Sequence, residues 1–156
     1  MHVTRIDSRG SGIHYTKGFI DNGDDSGYWF DYLLCTIPWK QRLGGNLGFE
    51  PRLTCFFGES NYRYGQTEIL AIPTQESPAG IRDLILRING TFNFDHDSLL
   101  CNLYRGGRDS IGWHSDDERI FGQYPTISSL TFLEGKKRNR KGILYETEIY
   151  TQPRGC

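Results

Sequence analysis

Residues 98–118 read SLLCNLYRGGRDSIGWHSDDE, and two kinds of local order meet in them. From Ser98 to Arg105, leucine, cysteine and tyrosine are interspersed with small and polar residues, which suits a short strand, and Gly106-Gly107 ends it in a turn. From His114 to Glu118, one histidine and three carboxylates follow Trp113. On an extended backbone, positions i and i+2 point to the same side, so His114 and Asp116 can reach one ion. An imidazole and a carboxylate are two thirds of the two-histidine, one-carboxylate face that holds non-haem Fe(II) with open coordination positions. Taken alone, the pair is read more simply as an exposed acidic turn.

Outward from this segment, the chain divides into helices and short strands. Around GYWFDYLLCTIPW the residues Trp29, Phe30, Leu33, Leu34 and Ile37 fall on one helical face, and Pro38 stops the helix near Ile37. In SPAGIRDLILRING, Ile81, Leu84, Ile85 and Ile88 repeat at helical spacing, with Ser77 suited to the cap, Pro78 to the first turn and Gly90 to the exit. Strands are expected at 52–58, 98–105, 126–133 and 143–150, separated by glycine-containing turns. The pattern is α+β: a sandwich or jelly roll with helices packed on one face.

The bulk composition limits the class. At 156 residues the chain is one domain long, and 37% hydrophobic with 24% charged residues is a globular composition. No apolar run approaches the roughly 20 residues of a membrane span, and MHVTRIDSRGSG lacks the apolar stretch of a signal peptide, so an intracellular, membrane-free protein is expected. Cys35, Cys55, Cys101 and Cys156 form no CxxC pair and read as buried, reduced thiols. The net charge of -1 hides a basic run, KKRNRK at 136–141, which reads as a solvated loop or a phosphate contact.

The segment 98–118 resembles the metal-binding segment of the AlkB family of Fe(II)- and 2-oxoglutarate-dependent dioxygenases, with its N-x-Y, turn and H-x-D-D-E order. GFIDNGDDSGYWFDYLLCTIPWKQR, PRLTCFFGESNYRYG and YPTISSLTF resemble further family segments in matching order, so residues 18–132 are family-like and 133–156 form a divergent tail. PWKQR, PRLT and WHSDDE look closest to animal-type members acting on single-stranded DNA or RNA.

The resemblance implies one double-stranded β-helix domain over residues 1–156, C-terminally incomplete, acting as a monomer in nucleus or cytoplasm. It implies Fe(II) at His114 and Asp116 and 2-oxoglutarate at Asn102 and Tyr104. Asp117 and Glu118 would lie beside a flipped base, where a carboxylate favours a cationic methylated ring. Trp39, Tyr62 and Tyr64 would line the nucleotide or cosubstrate pocket, and Arg52 would contact a phosphate. The implied reaction is oxidative demethylation of N-alkylated bases in DNA or RNA, as in alkylation damage repair, with release of formaldehyde.

Read without the resemblance, Asn102 fixes a turn, Tyr104 is a core aromatic, Tyr62 and Tyr64 are ordinary sheet residues, and Arg52 is structural. His96 matches no family ligand and is expected at the surface. The short loop LGGNLGFE has no obvious apolar wedge for prying open a duplex, which favours single strands.

The tail departs from the pattern. The family's second histidine ligand and its late arginine pair, one arginine of which holds 2-oxoglutarate, have no counterpart here. None of the residues after Asp116 is histidine. The chain as given is therefore expected to be truncated and to lack demethylase activity, and the alternative reading is a non-catalytic nucleic-acid-binding fragment or isoform.

Overall fold

The fold is given by a computed structural model, which describes residues 3–8, 11–16, 18–20, 26–44, 48–65, 67–114, 116, 118, 121–122, 125–133 and 144–150. A hairpin of β1 (Val3–Ser8) and β2 (Ser11–Thr16) comes first, followed by helix α1 (Ser26–Thr36). Strands β3 (Lys40–Leu43), β4 (Phe49–Phe57), β5 (Tyr62–Tyr64) and β6 (Thr67–Ile69) lead to helix α2 (Ala79–Phe92). The chain then forms β7 (Ser98–Tyr104), β8 (Ile127–Leu133) and β9 (Leu144–Tyr150). Strands β3, β4, β7, β9 and β8 pair in that order as one antiparallel sheet, and β5 with β6 forms a separate hairpin.

This is a mixed α+β architecture, as the alternation of patterns predicts. The predicted strand at 143–150 is β9, and it lies between β7 and β8. The β1–β2 hairpin was not among the strands the sequence pattern suggested.

Both helices cover one face of the sheet. In α2 the expected stripe Ile81, Leu84, Ile85 and Ile88 is buried, at about 2 kcal/mol of transfer free energy for each side chain. The ends of α2 differ from expectation. Gly90 lies inside the helix, and the exit is Asn93, whose left-handed backbone (φ 56°) lets its N–H bond to the Asn89 carbonyl. Ser77 does not cap either; its hydroxyl bonds to the Thr74 carbonyl, and Pro78 occupies the cap position. In α1, Phe30 and Leu33 are buried, as is Ile37 just past its end, but Leu34 is exposed, so the apolar stripe is narrower than the sequence pattern predicts.

Period-two alternation sorts the strands into two faces. Leu53, Cys55 and Phe57 of β4 and Leu99, Cys101 and Leu103 of β7 join the helix-side core with Ile81, Leu84 and Ile85. The alternate residues face the other way, where Phe56 and Leu100 form a second cluster with Tyr62, Ile69 and Phe121. Of the cysteines, Cys55 and Cys101 are buried opposite one another, and burial pushes the Cys55 thiol up to about 12. Cys35 is exposed, which corrects the expectation of a buried thiol there, and Cys156 lies outside the described residues.

His96 is also a correction, because it is buried at 3% exposure rather than at the surface. Its backbone N–H and C=O both bond to the Asn89 amide, and its Nε2 lies 2.7 Å from Ser128 Oγ of β8. No described helix is long and apolar enough to cross a membrane.

Candidate metal and cosubstrate site

The second face carries most of the candidate cosubstrate and base-binding residues. In β4, Glu50, Arg52, Thr54 and Phe56 alternate with the core residues, and Leu53 pairs with Leu103 while Thr54 pairs with Asn102. One step further along this register, Arg52 stands opposite Tyr104. Asn102 is 1% exposed, and its Oδ1 has no hydrogen-bond partner among the described residues. Arg52 Nε and Glu118 Oε2 share that condition.

Burying a polar atom unpaired costs about 1–3 kcal/mol, so three on neighbouring elements imply a ligand or ordered water. The amide of Asn102 can be turned to present either its oxygen or its NH₂ at this place, and the NH₂ suits a carboxylate. Asn102 thus fits a carboxylate, and Tyr104, two residues further along β7, is buried on the same face.

The loop after β7 is pinned at both ends. Arg105 grips Asp109 through Nε to Oδ2 at 2.7 Å and Nη2 to Oδ1 at 3.1 Å, and the Arg105 hydrogen bond holds the Asp109 carboxyl below its usual range. The Ser110 N–H then bonds to the Pro51 carbonyl at 2.8 Å, tying the loop to β4.

Beyond it, His114 Nδ1 lies 2.8 Å from the Gly112 carbonyl, which can only accept, so Nδ1 carries the proton. Nε2 then lies 3.2 Å from Asp116 Oδ1. That atom either bears a second proton or offers a lone pair to a cation shared with the carboxylate. Two donors bonded at about 2.1 Å to adjacent corners of one ion lie about 3 Å apart, so the spacing fits a shared first-row ion. The backbone carbonyl on the far nitrogen is the partner that metal-binding histidines commonly have. Among the described residues, no third His, Cys, Asp or Glu completes a metal-binding group.

Tyr62 and Tyr64 lie on this face with their rings 5.4 Å apart, and Tyr62 also stacks on Phe56 at 5.2 Å and approaches Phe121 at 5.5 Å. The Tyr62 hydroxyl donates to Glu118 Oε1 at 3.1 Å, which holds the Glu118 carboxylate at the edge of the aromatic cluster. Tyr64 donates to Glu50 and accepts from Arg52 Nη2 at 3.1 Å. Burial, with the Glu50 hydrogen bond second, pushes the Tyr64 phenol well up.

Arg52 is buried and paired with Glu50 at 3.4 Å. Trp39 stands elsewhere: it packs against the helix-side core and its Nε1 donates to the Leu34 carbonyl at 3.2 Å. Asp117 and the run at 136–141 lie outside the described residues. Glu50, Phe56 and Phe121 belong to this face although sequence reasoning did not select them. For Glu50 the signal was its i, i+2 relation to Arg52.

These features give an imidazole–carboxylate pair, a buried amide with an orphaned oxygen and a cluster of aromatic rings, and comparison with known proteins places the chain more narrowly. The chain is 40% identical over 119 residues to the human alpha-ketoglutarate-dependent dioxygenase alkB homolog 3, covering 74% of this chain and 40% of that protein. Mouse alkB homolog 3 is 39% identical over the same length, and the DNA oxidative demethylase ALKBH2 of Arabidopsis thaliana is 33% identical over 131 residues, 79% of this chain and 41% of that protein. No family model matches. The chain belongs to the AlkB family, and it spans about two fifths of the length of these relatives.

Proposed function

We propose that this chain carries the iron- and 2-oxoglutarate-binding segment of an AlkB-type dioxygenase that demethylates N-alkylated bases in single-stranded DNA or RNA. The observation that carries this reading is the His114 and Asp116 pair, its donors 3.2 Å apart and its far nitrogen on a backbone carbonyl. The jelly-roll fold, nuclear or cytoplasmic location and monomeric state belong to the same proposal. So does the division into a family-like 18–132 and a divergent 133–156.

His114 and Asp116 would hold Fe(II), and iron with 2-oxoglutarate and oxygen supplies the oxidising chemistry when bound. Asn102 and Tyr104 bind and orient a carboxylate of the cosubstrate from the strand behind. Glu118, held by Tyr62, places negative charge beside an aromatic wall on which a flat base can lie. A cationic methylated ring gains from that carboxylate, and a neutral ring does not. Arg52, neutralised by Glu50, is better suited to holding Tyr64 than to gripping a phosphate.

The sequence has no histidine after His114 and therefore offers two protein ligands of the usual three. Calorimetry with Mn(II) as an inert iron surrogate is expected to show one weak site on the purified protein, lost in His114→Ala and in Asp116→Ala. No binding, or binding unchanged by both substitutions, would overturn the metal assignment. Formaldehyde release from N-methylated oligonucleotides is expected to match the His114→Ala background. Release above that background would refute the expected inactivity of the two-ligand site.

A further inference from the structure

Trp113 is the peptide neighbour of His114, and its indole is fully exposed. Single exposed apolar residues are common on protein surfaces, so exposure by itself says little. Its setting says more. The loop that presents it is held by the double contact of Arg105 with Asp109, by Ser110 on Pro51, and by His114 on Gly112. The ring is therefore displayed from a braced backbone, with its Cα about 3.8 Å from that of His114.

The same loop exposes Ile111 and Arg108, while its other arginine, Arg105, is paired with Asp109 and three carboxylates, Asp116, Asp117 and Glu118, follow in the sequence. An exposed aromatic ring with an exposed arginine in the same loop is a pairing that binds single-stranded nucleic acid: bases stack on the ring while the cation meets a phosphate. Other large exposed side chains, such as Leu86 on α2 or Leu43 and Phe49 on β3 and β4, are far from His114 and Asp116 in the sequence.

We infer that Trp113 is a stacking platform for a base next to the target nucleotide, with Arg108 on the adjoining phosphate. This rests on the reading of the site as one that takes single-stranded nucleic acid. A stacked neighbour would fix the strand where the target base must turn in toward His114 and Asp116. Because every base has an aromatic face, the contact is indifferent to sequence and to DNA or RNA.

The test uses the full chain, an oligodeoxythymidine, an oligouridine and an abasic oligodeoxynucleotide of equal length. Both base-bearing strands should quench the indole emission and protect it from iodide, whereas the abasic strand should do neither. Trp113→Ala should weaken binding of the base-bearing strands about tenfold and leave the abasic strand unchanged, and Trp113→Tyr should restore most of the loss. Arg108→Gln should weaken all three strands and reduce the salt dependence of binding.

Equal affinity of Trp113→Ala and the parent chain for oligodeoxythymidine would overturn the platform while leaving the proposed nucleic-acid site standing. Failure of the parent chain to bind any of the strands would overturn both. An indole already shielded from iodide in the free protein would also overturn the platform, since the ring would then have another occupant.

Discussion

His114 and His96 show how differently two histidines of one chain are constrained. His96 is enclosed by α2, β8 and the Phe94 ring, 5.2 Å away, and burial lowers its pKa from 6.5 while Asp95 opposes the shift. Above about pH 6.5 the ring is neutral in both folded and unfolded chains, so its contribution to stability is fully present. Below that value the unfolded chain takes up a proton that the buried ring resists, and stability falls until the folded ring titrates too. Urea midpoints should therefore decline from pH 7.5 to 5.5, and His96→Gln should flatten the decline while costing about 1–3 kcal/mol at neutral pH for the disturbed Ser128 contact. A decline equally steep in the variant would remove His96 as its source. At this scale the closeness of His114 and Asp116, 3.2 Å between Nε2 and Oδ1, was legible because they are two residues apart. The burial of His96 was not legible, since it depends on Asn89 and on Ser128, the latter 32 residues away. Nor was the double engagement of Tyr64, which requires the β4 face to be set against the β5–β6 hairpin.

The α2 stripe followed from its 3.6-residue spacing because one face is buried, whereas β7, buried along its whole length, was legible only as a short apolar run ended by glycines. Periodicity does not fix where an element stops. Asn93 rather than Gly90 ends α2 because a left-handed residue is needed one step past the last helical turn, and asparagine tolerates that backbone. Nor does it show how closely two helices approach. At Gly80 an added Cβ would lie 2.8 Å from Tyr32 Cε1 and 3.2 Å from Trp29 Cζ3, and the Gly80 N–H donates to the Tyr32 hydroxyl at 3.1 Å. Glycine here lets α1 and α2 meet. Gly80→Ala gains about 1 kcal/mol of helix propensity but must displace two aromatic rings at about 1–3 kcal/mol, so the net expectation is a loss of about 1 kcal/mol. Chemical denaturation would measure it, and a variant as stable as the parent would mean that the rings move aside without cost.

For the whole molecule, the strand order β3-β4-β7-β9-β8 makes β9, which lies in the tail proposed to diverge from the family, structural. Every residue of β9 has a cross-strand partner on both sides: Ser98 to Tyr104 of β7 on one, Ile127 to Leu133 of β8 on the other. Without β9, β7 would present an open edge carrying Asn102 and Tyr104, and β8 would lose its ladder. Phe132 and Leu130 of β8 pack against the helix-side core, so releasing β8 would also uncover that core. A chain ended after Leu133 should therefore lose cooperative unfolding and bind hydrophobic dyes, although it retains every family-like residue, including His114 and Asp116. The contrast separates two meanings of a divergent tail. If the shortened chain unfolds at the same urea concentration and with the same slope as the parent, β9 contributes nothing and the family-like part folds by itself. If instead it collapses without a sharp transition, β9 supplies the strand that joins β8 to β7, and the metal binding proposed for His114 and Asp116 should weaken with it.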